Sequence, residues 1–356
     1  MLSDSSLSFL TRLLDTPGPS GFEAAAARAW REEAGGFAAS VTSDVHGNSI
    51  AVANPNGAPT IMLAGHIDEI GLIVTYIDEQ GFVYVSPIGG WDPQVLVAQR
   101  IRFQGIGGDV YGVVGKKPIH LIKQEEREKA AKLPELWIDI GATSRDAAQQ
   151  MLRIGDPGVI DTRLLRLPNN RIASRSIDDR IGAFVVLEAL RRYAENPGAA
   201  RVVAVATTQE EIGYLGGGAL PGATRVNPAM AIVVDVTFAT DSPGIDKKEV
   251  GDCALGGGPV FARGSVISPV VFQLLIDAAR RLNAPHTVRA VGRNTSTDAD
   301  AIHIAREGVA TALVGVPNRY MHSPNEMVSL DDVDRTADVI AETCRAVTPA
   351  TDFTAR

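Results

Sequence analysis

Two adjacent glutamates, Glu210 and Glu211, follow the apolar run 202–206 of a 356-residue chain. In Thr207-Thr208-Gln209-Glu210-Glu211-Ile212-Gly213 they stand just past a run that reads as a buried strand, where alternation predicts carboxylates facing opposite ways. Such a pair suits a metal site in which one carboxylate ligates and the other handles a proton. The competing reading is a solvated Glu-Glu step at a helix start. Similar polar interruptions recur elsewhere. His66 and Asp68 lie in Gly65-His66-Ile67-Asp68-Glu69-Ile70-Gly71 after the run 60–64. An imidazole with a carboxylate two residues on gives a ligand and the group that orients it, or simply a hydrogen-bonded loop histidine. Asp178 and Asp179 precede a helical pattern from about 181, where aspartate is also a favoured N-cap. Capping and ligation are compatible. Asp235 ends Met230-Ala231-Ile232-Val233-Val234-Asp235 and needs a partner, whether a metal or an Arg or Lys. Desolvating a lone carboxylate costs on the order of several kcal/mol. His322, in Tyr320-Met321-His322-Ser323-Pro324-Asn325-Glu326, follows the run near 313 and taken alone reads as an ordinary loop histidine.

In an open α/β sheet, ligands gather at the carboxyl ends of strands, and each of these residues follows an apolar run or opens a helix there. Together they match a hard, mixed nitrogen–oxygen metal set. The carboxylates outnumber what one tetrahedral zinc needs. Two metals sharing a bridging carboxylate and a water would use them all. Rival motifs fail: Gly105-Ile106-Gly107-Gly108-Asp109-Val110 lacks the third glycine of a dinucleotide loop, and Gly115-Lys116-Lys117 lacks the upstream glycine and the Ser/Thr of a phosphate loop. There is no Gly-x-Ser-x-Gly elbow and no His-Glu-x-x-His helix. His46, His120, His286 and His303 have no comparable context and read as structural or surface residues.

The elements that must position this set follow from periodicity. Helical spacing marks 3–14 and 22–33, with Pro17-Gly18-Pro19-Ser20-Gly21 between them, and 41–45 and 49–53 read as a hairpin around Gly47-Asn48. From about 71 to 166, short alternating segments separated by Gly, Pro and Asp predict a small β-barrel or sandwich, with the charged stretch 123–132 as its solvated loop. Beyond 170, strands near 202, 232 and 312 alternate with helices at 181–193, 269–282, 299–306 and 331–346. The expected architecture is α/β: a mixed, mostly parallel sheet flanked by helices, over 1–68 and 167–356, with a β-rich domain inserted at 69–166. Composition agrees, at 45% hydrophobic, 5% aromatic and 21% charged. A net charge of −8 argues against a nucleic-acid surface. Cys253 and Cys344 are too few and too scattered for a disulfide framework or a cysteine zinc site. No run reaches membrane-spanning length and 1–14 has no signal-peptide pattern, so the expectation is a cytoplasmic protein with no membrane partner.

The chain resembles the M42 family of cocatalytic metallo-aminopeptidases, which includes the tetrahedral (TET) and glutamyl aminopeptidases and some members with endoglucanase-type names. The likeness is carried by Pro17-Gly18-Pro19-Ser20-Gly21-Phe22-Glu23, Asp44-Val45-His46-Gly47-Asn48, the His66 segment, Lys117-Pro118-Ile119-His120, Ile138-Asp139-Ile140-Gly141-Ala142, Ile177-Asp178-Asp179-Arg180-Ile181-Gly182, Gln209-Glu210-Glu211-Ile212-Gly213, Thr297-Asp298-Ala299 and His322-Ser323-Pro324-Asn325-Glu326. The resemblance implies a zinc-peptidase-like fold and two divalent metals per subunit, Zn2+ or Co2+ first and then Mn2+. Asp178 would bridge the metals, His66 and Asp235 would complete one, and Glu211 and His322 the other. Glu210 would be the general base and Asp68 the residue orienting His66. It implies peptide substrates with a free N-terminus, and a homo-oligomer, commonly a dodecameric tetrahedron of dimers, assembled through the inserted domain. Ser174-Arg175-Ser176-Ile177 and Asn294-Thr295-Ser296 depart from the usual approaches to Asp178 and Thr297, which leaves the shape of the substrate pocket open. The rival readings are a related metallohydrolase of N-acyl amino acids or other amides and, with less support, a glycosidase, which needs carboxyl groups about 5–10 Å apart across a sugar.

Overall fold

The computed structural model describes residues 2–124, 127–213 and 217–354. Helices α1 (Asp4–Asp15) and α2 (Ala24–Ala34) lead into strands β1 (Ser40–Ser43), β2 (Ser49–Ala53) and β3 (Thr60–His66). Short elements follow: β4 (Gly71–Ile77), β5 (Val83–Ile88), α3 (Pro93–Leu96), β6 (Arg100–Gly105), β7 (Gly108–Gly115), β8 (Trp137–Asp139), α4 (Arg145–Gln149) and β9 (Pro157–Ile160). Then come β10 (Leu165–Leu167), β11 (Arg171–Ser174), α5 (Ile177–Glu195), β12 (Arg201–Thr207), α6 (Ala219–Val226), β13 (Met230–Phe238), α7 (Lys247–Val250) and β14 (Val260–Gly264). The chain closes with α8 (Pro269–Arg281), β15 (Thr287–Val291), α9 (Ala299–Ile302), β16 (Ala310–Asn318), β17 (Glu326–Ser329) and α10 (Leu330–Ala346).

The most apolar runs make the frame. An eight-stranded sheet has the order β1-β2-β12-β3-β13-β16-β14-β15. Its centre, β12, β3, β13 and β16, is parallel, and β2 and β14 are antiparallel to their inner neighbours. Alternation along β3 sorts the two faces. Ile61 and Leu63 pack with Leu10, Trp30, Phe184, Leu275 and Ile340 from the helices of one layer. Met62 and Ala64 pack with Ala219, Ala223 and Ile302 from α6 and α9 on the other. Burial on both faces is why these strands read as continuous apolar runs rather than alternating ones.

Strands β4-β5-β8-β7-β6-β9 close a barrel with its own core, including Leu72, Val83, Phe103 and Ile138. Closure leaves it no free edge of its own. Of the charged stretch 123–132, residues 125 and 126 lie outside the described residues, and the others are exposed apart from the half-buried Ala131. Helix α9 is shorter than its sequence pattern and stops at Ile302. No helix among the described residues is long and apolar enough to cross a membrane.

Candidate metal centre

Registration of the parallel strands brings the first two candidates level. His66, the last residue of β3, pairs with Thr207, the last of β12. Strands β13 and β3 pair from Met230 with Ile61 to Val233 with Ala64. Asp235, two residues further on, therefore stands level with His66 and on the same face. Beside them Gly65 admits the start of α5, since a Cβ there would come 2.4 Å from the Gly182 carbonyl carbon.

Helix α5 is interrupted at its first turn. Asp178 and Asp179 are non-helical and the peptide between them is cis. Asp179 caps the continuing helix, with Oδ1 accepting from the Gly182 N–H at 3.0 Å and Oδ2 from the His66 N–H at 3.2 Å. The capping reading thus applies to Asp179, while Asp178 turns toward both histidines. Its Oδ1 lies 3.3 Å from His66 Nε2 and its Oδ2 lies 3.3 Å from His322 Nε2.

The glutamate pair departs from strand alternation. Strand β12 ends at Thr207 and Gln209 takes a left-handed φ of +61°, so Glu210 and Glu211 occupy a turn and both face the cluster. Glu210 Oε2 lies 3.9 Å from His66 Nε2, and Glu211 Oε1 lies 3.2 Å from His322 Nε2. Asp68 fastens that turn. Its Oδ1 accepts from the Glu210 N–H at 3.2 Å and its Oδ2 from the Glu211 N–H at 3.2 Å and from Ser20 Oγ at 2.5 Å. Asp68 Oδ1 also stands 3.4 Å from His66 Nδ1, which turns Nε2 toward the other carboxylates.

Donor atoms of His66, Asp179 and Asp235 lie within 4.8 Å of one another, as do those of His66, Asp178 and Glu211. Glu211 Oε1 is buried without a hydrogen-bond partner. The electrostatics are those of a concentrated negative charge. Burial, with Asp178 adding to it, pushes Asp235 well above the usual carboxylate range, and burial with Asp235 and Asp178 does the same to Asp179. Burial carries Glu210 up to about 10, with the carboxylates of Asp235, Asp298 and Glu211 adding to it against the opposing pull of His66. Burial works against a charged His322, yet Asp178 and Glu211 raise it to about 11. Burial likewise opposes the ionised form of Asp178, but the two imidazoles hold it below its ordinary value. A buried oxygen without a hydrogen-bond partner, and carboxyl groups pushed up by burial and then by one another, fit a site built for divalent cations, and these residues could hold one.

Several participants escape a strand-end reading. Asp179 belongs with His66 and Asp235, and a cap signal masked it. Glu326 accepts from the backbone N–H of Asp178 at 3.0 Å and of His322 at 2.8 Å, so one buried carboxylate fixes two loops. Asp298 accepts from Thr207 Oγ1 at 2.5 Å, its other oxygen is unpartnered, and burial raises it to about 6. Both stand inside motifs quoted above but follow no apolar run. The remaining histidines have other surroundings. His46 and His120 are exposed, the His286 ring lies against Phe261, and His303 Nδ1 is 3.0 Å from the Ala299 carbonyl.

A mostly parallel α/β sheet carrying histidines and carboxylates at its carboxyl edge, with a closed barrel between β3 and β10, defines a zinc-peptidase-type hydrolase fold. The profile of the M42 glutamyl aminopeptidase family matches residues 47–339. A lysyl aminopeptidase of Pyrococcus furiosus is 38% identical over 97% of this chain and 98% of its own. The TET aminopeptidase structure from a marine sediment Thaumarchaeota archaeon superposes with a TM-score of 0.92 at 32% identity, over 97% of each chain. The TET1 peptidase of Pyrococcus horikoshii, described as assembling into a tetrahedron or a large octahedral shell, gives 0.84 at 26% identity over 96% of this chain and 100% of that one. The chain belongs to the M42 peptidase family and is a peptide hydrolase of the aminopeptidase type.

Proposed function

We propose that the protein removes the N-terminal residue from peptides at a centre of two divalent cations. The observation that carries this reading is Asp178, whose two oxygens each stand 3.3 Å from a different histidine. A carboxylate so placed would be available to both members of a metal pair. His66 and Asp235 would complete one position, with Asp179 close by, and Glu211 and His322 the other. Zn2+ or Co2+ suits the donors, and Mn2+ is compatible with them. Such cations supply Lewis acidity, which lowers the pKa of water and polarises a carbonyl.

The chain's own residues do the rest. Cations in the cluster would offset the negative charge that raises Glu210, and the ionised Glu210 would then accept the proton of the attacking water and deliver it to the departing amine nitrogen, a role typically worth ~10²–10⁴ in rate. Asp68 orients His66 and, through the amides of Glu210 and Glu211, holds the base at a fixed height above the sheet edge. Glu326 does the same for the backbone of Asp178 and His322. The barrel, within a domain spanning 69–166, would join subunits into an oligomer built from dimers. A dodecameric tetrahedron is the form we propose, a dodecamer and a tetrahedron being among the assemblies named for the horikoshii relative beside a large octahedral shell.

Unblocked aminoacyl p-nitroanilides assayed beside their N-acylated forms test the reading on metal-loaded enzyme. Turnover confined to the free amines is expected. Turnover confined to the blocked substrates would replace this reading with an acylamino-acid hydrolase.

A further inference from the structure

Two segments far away in the chain, 17–23 and 44–48, both end against the turn that carries Glu210 and Glu211. Four consecutive backbone amides of that turn donate to side chains. The Thr208 N–H donates to Asn48 Oδ1 at 3.1 Å, the Gln209 N–H to Glu23 Oε1 at 3.1 Å, and those of Glu210 and Glu211 to the two oxygens of Asp68. Asn48 is wholly buried, and its Nδ2 donates in turn to Asp44 Oδ2 at 2.7 Å and to the Gly218 carbonyl at 2.8 Å.

Glu23 holds the amide that decides direction. Gln209 is left-handed, a conformation that a residue with a Cβ keeps only when its surroundings impose it. Were Gln209 to relax to extended backbone, Glu210 and Glu211 would alternate and point apart. The segment that delivers Glu23 is itself a tight turn. The Phe22 N–H donates to the Pro19 carbonyl at 2.8 Å, and Gly21 between them takes a φ of +85°, where glycine is favoured. Ser20 of this turn reaches Asp68, and Glu23 Oε1 accepts the Gly21 N–H at 2.7 Å, so the buried carboxyl is fixed at its own end before it meets Gln209.

We propose that Glu23 is a positioning residue for the reaction: by holding Gln209 left-handed it keeps Glu210 and Glu211 facing the same cluster. The inference rests on the reading of Glu210 as the base. Glu23 acts through one accepting oxygen, so its charge is dispensable while its length and its acceptor are not.

The test compares Glu23→Ala, Glu23→Gln and Glu210→Gln with the wild type on an unblocked aminoacyl p-nitroanilide at saturating Zn2+. Hydrogen exchange of the amides of 208–211 is followed in chelated protein. Glu23→Ala should lower kcat about 10- to 100-fold, the cost of misplacing a reacting group by about 1 Å, with KM little changed. Its 208–211 amides should exchange at least ~10-fold faster. Glu23→Gln keeps the accepting oxygen and should keep both kcat and slow exchange. Glu23→Asp, one methylene shorter, carries the same expectation as Glu23→Ala and serves where the alanine variant does not fold. A lowered Tm with wild-type kcat in Glu23→Ala would confine Glu23 to the fold and overturn the inference. Slow turnover with unchanged exchange would overturn it too, as would a Glu23→Gln as slow as Glu23→Ala. In each of these cases a slow Glu210→Gln leaves the base in place. Near-normal turnover of Glu210→Gln would overturn both.

Discussion

Asp68 and Glu69 are consecutive, both buried, and belong to two different kinds of charge. Glu69 sits in a neutralised knot: Arg175 and Arg180 both pair with it, and the Gly18 N–H donates to its Oε1 at 3.0 Å. Arg180, itself buried, spends further N–H groups on the carbonyls of Ile67 and Leu13. One residue earlier, Asp68 faces the other way, into the cluster of His66, Asp178, Asp179, Glu210, Glu211 and Asp235, whose carboxylates form no ion pair with an arginine or lysine among the described residues. Both regions bury carboxylates at comparable depth. The difference is that one balances its charge within the chain and the other does not. A balanced knot holds the fold together, whereas an unbalanced one is stable only with something positive added. That contrast separates structural from functional acids here better than burial does.

The sharpest way to break the comparison is on the unbalanced side. Glu210→Gln should lower kcat by ~10²–10⁴ with the metal content of the purified protein unchanged. Metal analysis beside steady-state kinetics checks it, and near-normal turnover would remove Glu210 from proton transfer. On the balanced side, Arg180→Met should leave Glu69 and neighbouring carbonyls short of partners and cost about 3–5 kcal/mol of unfolding free energy. Denaturant melts of the metal-loaded protein measure this. A loss under 1 kcal/mol would mean that the knot is not what it looks like. Asp235→Asn reverses the sign. In chelated protein it removes the cost of burying and protonating that carboxyl and should stabilise by about 0.5–2 kcal/mol, while metal retention falls. Destabilisation of the chelated variant would show that Asp235 already has a balancing partner.

Much of this was legible in the sequence because parallel sheets expose their chemistry at strand ends. His66 does end β3, whereas Asp235 interrupts the apolar run of β13 three residues before that strand ends at Phe238, and the register aligns the two. The barrel was legible as a change of texture after residue 71. What could not be read was the path between ends. A left-handed Gln209 turns two glutamates that strand geometry sends apart toward one place. A non-helical step inside α5 divides labour between Asp178 and Asp179. Glu326 and Asp298 act through loops whose backbones only the fold brings together.

The same contrast also predicts a slope. In the metal-free fold Glu210 is raised from 4.5 to about 10 and His322 from 6.5 to about 11. Between pH 6.5 and about 10, the folded chain therefore holds protons that the unfolded chain has released. Stability must then fall as pH rises through that window. Asp178, held low, has the opposite sign, but its contribution is complete once the pH exceeds its ordinary 3.8 and adds no slope here. Cations take the place of those protons, so metal-loaded protein should show a flatter dependence. Thermal melts of chelated and reloaded samples should accordingly diverge as pH rises from 6.5, the chelated Tm dropping faster. A chelated Tm that is flat or rising would mean that the cluster is already balanced, and the distinction between the two carboxylate regions would collapse.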